Sequence, residues 1–175
     1  MVLDSPFVEV SKILLTYSMK TLPNRLLVCC PNWVGDVVMA TPALDCLRQN
    51  YPEATLVGVM RKYVRGVVQD GPWFDQIIGC DDKTAGGFYK LVRTIRGLEP
   101  DIAIVLPNSI RSVLSVLLGG VKEIYGYRRN GRSLLLTGGP KPIRVEGGIL
   151  PVPMVTSRII LTSIWSRSQG RAPAF

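Results

Sequence analysis

Residues 25–50 read RLLVCCPNWVGDVVMATPALDCLRQN. The first six form a continuous apolar run, short enough for a strand buried on both faces of a parallel sheet. From 36 to 50 the residues Val37, Val38, Ala40, Leu44 and Leu47 recur at helical spacing, and Tyr51-Pro52 closes the pattern. Pro42 falls early in this expected helix, where a missing N–H costs little. Strand, tight loop and helix together are the building unit of a parallel α/β sheet.

The rest of the chain repeats that unit. Strands are expected at 54–60 (ATLVGVM), 74–80, 101–106 (DIAIVL) and 123–127, with helices at 62–69, 88–98 and 109–118. In the second of these helices Leu91, Val92, Ile95 and Leu98 share a face, and Glu99-Pro100 stops it. Regular alternation with short connections predicts an α/β fold, a Rossmann-like doubly wound parallel sheet covered by helices on both faces. In such sheets ligands bind at the carboxyl ends of the strands. That singles out the loops after Cys30, Met60, Leu106 and Tyr127.

Composition narrows the chemistry. The chain has 175 residues, 47% of them hydrophobic and 19% charged, which excludes a disordered chain and suits one domain with a real core. It contains no histidine. Ser–His–Asp and Cys–His nucleophile systems are therefore excluded, as are zinc sites built on imidazole. Acid–base work falls to carboxylates, lysine, arginine and backbone dipoles. Cys29, Cys30, Cys46 and Cys80 form no C-x-x-C pair and read as small buried hydrophobes of a reducing cytosol. No apolar stretch approaches the roughly 18 uncharged residues of a membrane span. Asp4 and Glu9 precede the short Ile13–Leu15 cluster, against a signal peptide. The expected location is cytoplasmic.

The net charge of +8 is unevenly placed: residues 1–119 carry 12 basic and 11 acidic side chains, residues 120–175 nine basic and two acidic. Few aromatics accompany the late basic residues, so no nucleic-acid partner is expected. The loop Pro31-Asn32-Trp33-Val34-Gly35-Asp36 lacks both G-x-G-x-x-G and the P-loop pattern. Gly35 is expected to permit a sharp turn and close approach of a ligand. On spacing alone Asp36 reads first as a helix N-cap and second as a general base. Arg61, Lys62 and Arg65 follow the second strand; Asn108, Ser109, Arg111 and Ser112 follow the fourth; Arg128, Arg129 and Arg132 follow the fifth. Each cluster alone is a solvated surface, but together at one sheet edge they would form a positive bowl around a single acid. Such a bowl suits an anionic substrate.

The run 27–42 (LVCCPNWVGDVVMATP) closely resembles the opening of the ADP-heptose:lipopolysaccharide heptosyltransferases, glycosyltransferase family 9, in particular the heptosyltransferase II branch. Its signature reads P-x-W-[VI]-G-D-x-[VL]-M-[AT]-x-P. Further matches are Pro52-Glu53-Ala54, Leu106-Pro107-Asn108-Ser109 with Ser112, Gly126-Tyr127-Arg128 with Arg132 and Leu134-Leu135, and residues 151–155. The resemblance covers residues 25–155 and implies the N-terminal, acceptor-binding domain of a two-domain GT-B glycosyltransferase. It implies Asp36 as the general base, and Asn32, Trp33, Gly35, Arg61, Lys62, Arg65, Asn108, Ser109, Arg128 and Arg132 as acceptor-binding residues. The donor substrate would be ADP-heptose and the partner the anionic lipopolysaccharide inner core. No cofactor and no metal are expected, because cationic groups of a second domain would stabilise the leaving diphosphate.

The chain departs from that pattern in its length, since a two-domain enzyme needs about twice as much. Residues 1–24 read as a leader ahead of the domain, with Met19 an alternative start. Residues 156–175 (TSRIILTSIWSRSQGRAPAF) contain no acid and stand where the next helix and the donor domain are expected. The expectation is a frame change or interruption near Val155–Thr156, testable in the downstream DNA. The half-enzyme would be inactive alone, its donor domain absent or a separate chain. A competing reading makes 158–167 an amphipathic helix in peripheral contact with the inner face of the inner membrane, through Ile160, Leu161, Ile164 and Trp165. The alternative function is an anion- or nucleic-acid-binding α/β module without catalysis.

Overall fold

The computed structural model describes residues 23–81, 83–128 and 131–139, and the backbone of 144–145 and 148–149. The leader, the tail after residue 155, the 151–155 match and Arg129 lie outside the described residues. In chain order the elements are β1 (Arg25–Cys29), α1 (Val34–Val38), α2 (Thr41–Asn50), β2 (Thr55–Arg61), a 3-10 helix (Lys62–Val67), β3 (Gln76–Cys80) and α3 (Ala85–Leu98). They continue with β4 (Ile102–Val105), α4 (Ile110–Leu118), β5 (Glu123–Gly126), a second 3-10 helix (Arg132–Leu135) and the short pair β6 (Arg144–Val145) and β7 (Gly148–Ile149). The five longer strands form one parallel sheet in the order β3-β2-β1-β4-β5, and β6 pairs with β7 antiparallel.

The continuous apolar runs are explained by two cores, one on each face of the sheet. Leu26, Val28 and Cys30 point to one face with Leu56, Met60, Ile102 and Ile104, and meet Val37, Leu44, Leu47 and Val64 of the covering helices. Leu27 and Cys29 point to the other with Val57, Val59, Ala103 and Val105, and meet Leu91, Ile95, Val113 and Val116 of α3 and α4. Alternation of period two thus persists, but both phases are buried. All four cysteines are free; Cys29, Cys30 and Cys46 are buried and Cys80 half-buried.

Two helices differ from expectation. The single helix expected over 36–50 is two, broken at Met39-Ala40. Pro42 is the cause. In a continuous helix its N–H would serve the Val38 carbonyl, and its ring would clash there. Instead the Thr41 hydroxyl donates to that carbonyl at 2.8 Å, and Pro42 sits in the first turn of α2. The helix expected from Phe88 begins three residues earlier, at Ala85. Thr84 caps it by accepting from the Gly87 N–H at 3.0 Å, and Gly87 is required because a Cβ there would lie 1.7 Å from the Asp81 carbonyl oxygen. At its far end Glu99 turns left-handed (φ 48°) ahead of Pro100. The expected helix over 62–69 is a 3-10 helix, and the expected strand starting at 74 begins at Gln76.

Candidate functional site

The order β3-β2-β1-β4-β5 reverses direction between β1 and β4. The chain leaves β1 toward one side and β4 toward the other, so a crevice opens above their carboxyl ends. Two ladder bonds continue past the strands and hold its floor: Cys30 N–H donates to the Val59 carbonyl at 2.8 Å and Leu106 N–H to the Cys29 carbonyl at 3.1 Å. The loop 30–33 forms one lip and the loop 106–109 the other. Beneath them lies a cavity of about 20 Å³, bounded by Asn32, Pro107, Ser112, Ser115 and the cysteines Cys29, Cys30 and Cys80. It has room for about one water. A substrate would therefore lie above it, on the open crevice.

On the β1 side the predicted residues come together. Arg61, the last residue of β2, donates from Nε to the Asn32 side-chain oxygen at 3.1 Å. The Tyr63 hydroxyl donates to the Asn32 backbone carbonyl. Trp33 is the N-cap of α1, supplies no side-chain cap, and is 74% exposed. Lys62 and Arg65 are exposed on the 3-10 helix.

Asp36 and Gly35 differ from the local expectation. Asp36 is the third residue of α1 rather than its N-cap, and its side chain is half-buried. Gly35 makes no turn: it is the second residue of α1, its φ is not positive, and a Cβ added there would meet nothing within 4 Å. What Gly35 leaves is open space beside Asp36, not a special backbone.

The β4 and β5 side differs more. Arg132 was expected to face a ligand, but it is fully buried. Its Nε donates to the Tyr127 carbonyl at 2.9 Å, one terminal nitrogen to the Pro107 carbonyl, and the other to the Asn108 side-chain oxygen at 2.9 Å. Burial lowers its pKa to about 10, which still leaves it charged at neutral pH. It thus ties the β4 lip to the β5 loop from below. The reason is the planar fork of the guanidinium, which reaches three oxygens at once.

Ser109 caps α4 by accepting from Ser112 N–H at 3.1 Å, with the two hydroxyls 2.6 Å apart. Arg111 turns away from the crevice: it donates to the Thr84 carbonyl at 3.2 Å and lies 4.9 Å over the Phe88 ring. Arg128 is half-buried, and its Nε has no hydrogen-bond partner among the described residues. The expected bowl therefore divides: Arg61, Lys62, Arg65 and Arg128 remain candidates for an anion, while Arg132 and Arg111 serve the frame.

Two participants were missed. Tyr63 directly follows Arg61-Lys62 at a strand end, and that position was the available signal. The Pro107 carbonyl has no signal in sequence, because its role depends on Arg132 being buried beneath it. Among the described residues no group of three or more Cys, Asp or Glu is placed to hold a metal, and no helix is long and apolar enough to cross a membrane.

No family model matches the chain. Lipopolysaccharide heptosyltransferase 2 of Escherichia coli (strain K12) is 30% identical over 116 residues, which is 64% of this chain and 33% of that protein. Lipopolysaccharide heptosyltransferase 3 of the same strain is 27% identical over 107 residues, 55% of this chain and 31% of that protein. Among solved structures, E. coli ADP-heptose LPS heptosyltransferase II aligns with a TM-score of 0.66 at 25% identity, covering 86% of this chain and 45% of that one. A glycosyl transferase family 9 structure from Veillonella parvula DSM 2008 gives 0.66 at 20% identity, over 84% and 42%. The chain spans about one third of the length of the curated relatives it matches. In sequence and fold alike, the chain is similar to the lipopolysaccharide heptosyltransferases over part of their length, with the α/β architecture seen in the glycosyl transferase family 9 structure.

Proposed function

We propose that these residues form the acceptor-binding part of an inverting glycosyltransferase that moves heptose from ADP-heptose to the inner core of lipopolysaccharide. The observation that carries the reading is the placement of Asp36. It lies on α1, the helix that follows the β1 lip of the crevice, with open space over Gly35 and with Arg61 ending the neighbouring strand and Lys62 following it. The relatives are heptosyltransferases by name, and residues 27–42 carry the family's opening signature.

In this reading the Asp36 carboxylate accepts the proton of an acceptor hydroxyl. The freed oxygen attacks the anomeric carbon of the donor from the face opposite the diphosphate. The bond to the leaving ADP breaks with inversion, and Asp36 later returns the proton to water. Arg61, Lys62, Arg65 and Arg128 hold the anionic groups of the acceptor, while Asn32 and Asn108 fix the two lips. No metal is assigned to the step. The donor's diphosphate is left to residues beyond those described here, in the same polypeptide or another. Cytoplasmic action accords with a nucleotide-sugar donor.

The test joins this chain to the donor-binding part of a heptosyltransferase homologue and compares parent with Asp36→Asn, using ADP-heptose and an inner-core acceptor. ADP release and product mass are measured. A general base contributes about 10²–10⁴-fold, so kcat should fall by that factor with acceptor binding unchanged. Turnover of Asp36→Asn within a few-fold of the parent would remove Asp36 as the base.

A further inference from the structure

The two lips of the crevice share a sequence pattern. After β1 the chain reads Cys30-Pro31-Asn32, and after β4 it reads Leu106-Pro107-Asn108. In both, the residue ahead of the proline makes the last ladder bond, Cys30 to the Val59 carbonyl and Leu106 to the Cys29 carbonyl. The proline keeps that residue extended and, having no N–H, ends the ladder. Each asparagine thus stands two residues past the last ladder bond, at the mouth of the switch point. In both, an arginine from the next strand outward binds the asparagine's side-chain oxygen. Arg61, ending β2, donates from Nε to Asn32 at 3.1 Å, and Arg132, beyond β5, donates to Asn108 at 2.9 Å.

An arginine N–H can only donate, so the amide atom that faces it is the oxygen. The orientation of each amide is thereby fixed. The Asn32 backbone is held too, through the Tyr63 hydroxyl on its carbonyl. Asn32 is half-buried and borders the cavity at the crevice floor, and its Nδ2 makes no hydrogen bond to any described residue. What this amide offers to a ligand in the crevice is therefore two N–H donors and no acceptor.

We propose that Asn32 is a specificity-determining residue whose amide, oriented by Arg61, donates to an anionic oxygen of the substrate, a carboxylate or a phosphate. This rests on reading the crevice as the acceptor site. Carboxylates and phosphates only accept, which matches a group that only donates; a hydroxyl brings a proton that the occupied Asn32 oxygen does not receive. The guanidinium charge on that oxygen polarises the amide and strengthens its N–H donors. Arg61 is then a positioning residue that acts through Asn32, in addition to its charge.

The experiment titrates the whole 175-residue chain, isotope-labelled for amide NMR, with methyl glucuronide, glucose 6-phosphate or neutral methyl glucoside. The Asn32 side-chain signals are identified by their loss in Asn32→Asp. One or both anionic sugars should shift those signals and saturate, and which one does so identifies the oxygen; the glucoside should leave them in place. Asn32→Asp keeps an oxygen for Arg61 and removes the N–H donors. Its melting temperature should match or exceed that of the parent, while anion binding weakens about ten-fold or more. Arg61→Lys keeps the charge but not the planar fork, and should weaken binding about three-fold while broadening or moving the Asn32 signals. Anion binding that leaves the Asn32 signals unmoved would overturn the proposal, as would undiminished binding by Asn32→Asp or no binding of either anion. Equal shifts with the neutral glucoside would overturn the preference for an anion. A loss of stability in Asn32→Asp that accounts for its loss of binding would make the residue structural only. The probes carry no heptose and need no donor. Anion binding through Asn32 without heptose transfer by the joined enzyme would keep this proposal and remove the transferase reading; transfer with an acceptor KM unmoved by Asn32→Asp would do the reverse.

Discussion

At the scale of single residues, Arg132 is the largest fully buried side chain among the described residues. Removing an arginine from water costs several kcal/mol, and only well-made hydrogen bonds offset it. Here the Tyr127 and Pro107 carbonyls and the Asn108 side chain supply them. Arg132→Ala should leave those carbonyls without a donor and a void beneath the β4 lip. The expected loss is about 3 kcal/mol by urea unfolding, and a loss under about 1 kcal/mol would contradict the clamp. Because the folded pKa lies below the unfolded value, the burial penalty is present throughout lower pH and lifts only as pH rises past about 10. Arg132 should therefore add no slope to stability between pH 7 and 9. Nothing local marked this residue for burial, since Gly131-Arg132-Ser133 reads like any surface turn and arginines are ordinarily exposed. Its position follows from where β4 and β5 end, which is a property of the sheet. Asp36 was legible for the opposite reason: loop, glycine and acid directly follow the first strand, so local sequence already sets it beside the crevice. Its rank within α1 was misread because the helix begins at Val34, ahead of the first strong periodicity.

At the scale of elements, the strands were legible almost to the residue because both phases of each run are apolar and the runs are short. The helices were less so. Pro42 was visible, but its consequence depends on which residue starts the helix, and α1 starts early enough to put Pro42 eight residues after Val34. The side-chain bonds that tie the elements together were not legible. Arg48 of α2 donates to the Trp73 carbonyl at 3.0 and 3.2 Å, to the Ala54 carbonyl at 3.3 Å and to the Asp75 carboxylate at 2.6 Å. Asp75 also accepts from the Leu56 N–H at 2.7 Å. One helix is thus pinned to the start of β2 and the approach to β3. Partial burial pushes the Asp75 pKa up, but the Arg48 bond, the Leu56 N–H and the Arg48 charge together hold it below its ordinary value of 3.8. A carboxylate with a depressed folded pKa contributes stability that is fully present above its unfolded pKa and lost as pH falls through the folded one. Asp75→Asn should therefore destabilise the protein at pH 7. The pair is 22% and 49% exposed, so solvent screening limits the effect to about 1 kcal/mol or less. The gap between parent and variant should close on acidification below the Asp75 pKa. A gap that stays constant from pH 7 down to that range would show that the charge contributes nothing.

At the scale of the whole molecule, the doubly wound order determines both where chemistry can occur and which parts open first. β1 and β4 sit in the middle of the sheet, paired on both sides and covered on both faces, and they carry the two lips of the crevice. The outer edges differ. Beside β5 the segment 137–139 closes in: Thr137 N–H donates to the Ile124 carbonyl at 2.8 Å, Ile124 N–H to the Thr137 hydroxyl at 3.0 Å, and Gly126 N–H to the Gly138 carbonyl at 3.2 Å. Gly139 makes that approach possible, with φ 136° and a position where a Cβ would lie 1.9 Å from the Gly126 carbonyl oxygen. β3 has β2 alone as a partner among the described residues, and none of its side chains is fully buried. Protection against hydrogen exchange should follow this asymmetry, since opening free energy tracks buried apolar contact and paired backbone. Amides of β1 and β4 should exchange only through global unfolding, with a denaturant dependence equal to that of the whole protein. Those of β5 should come close behind, and β3 should open locally, with weak denaturant dependence. If β3 proved as protected as β1, its free edge would have to be covered by a segment or a partner. If β4 opened locally, the switch-point crevice would lack the rigid floor that positioning Asp36 requires, and the catalytic reading would lose its structural basis.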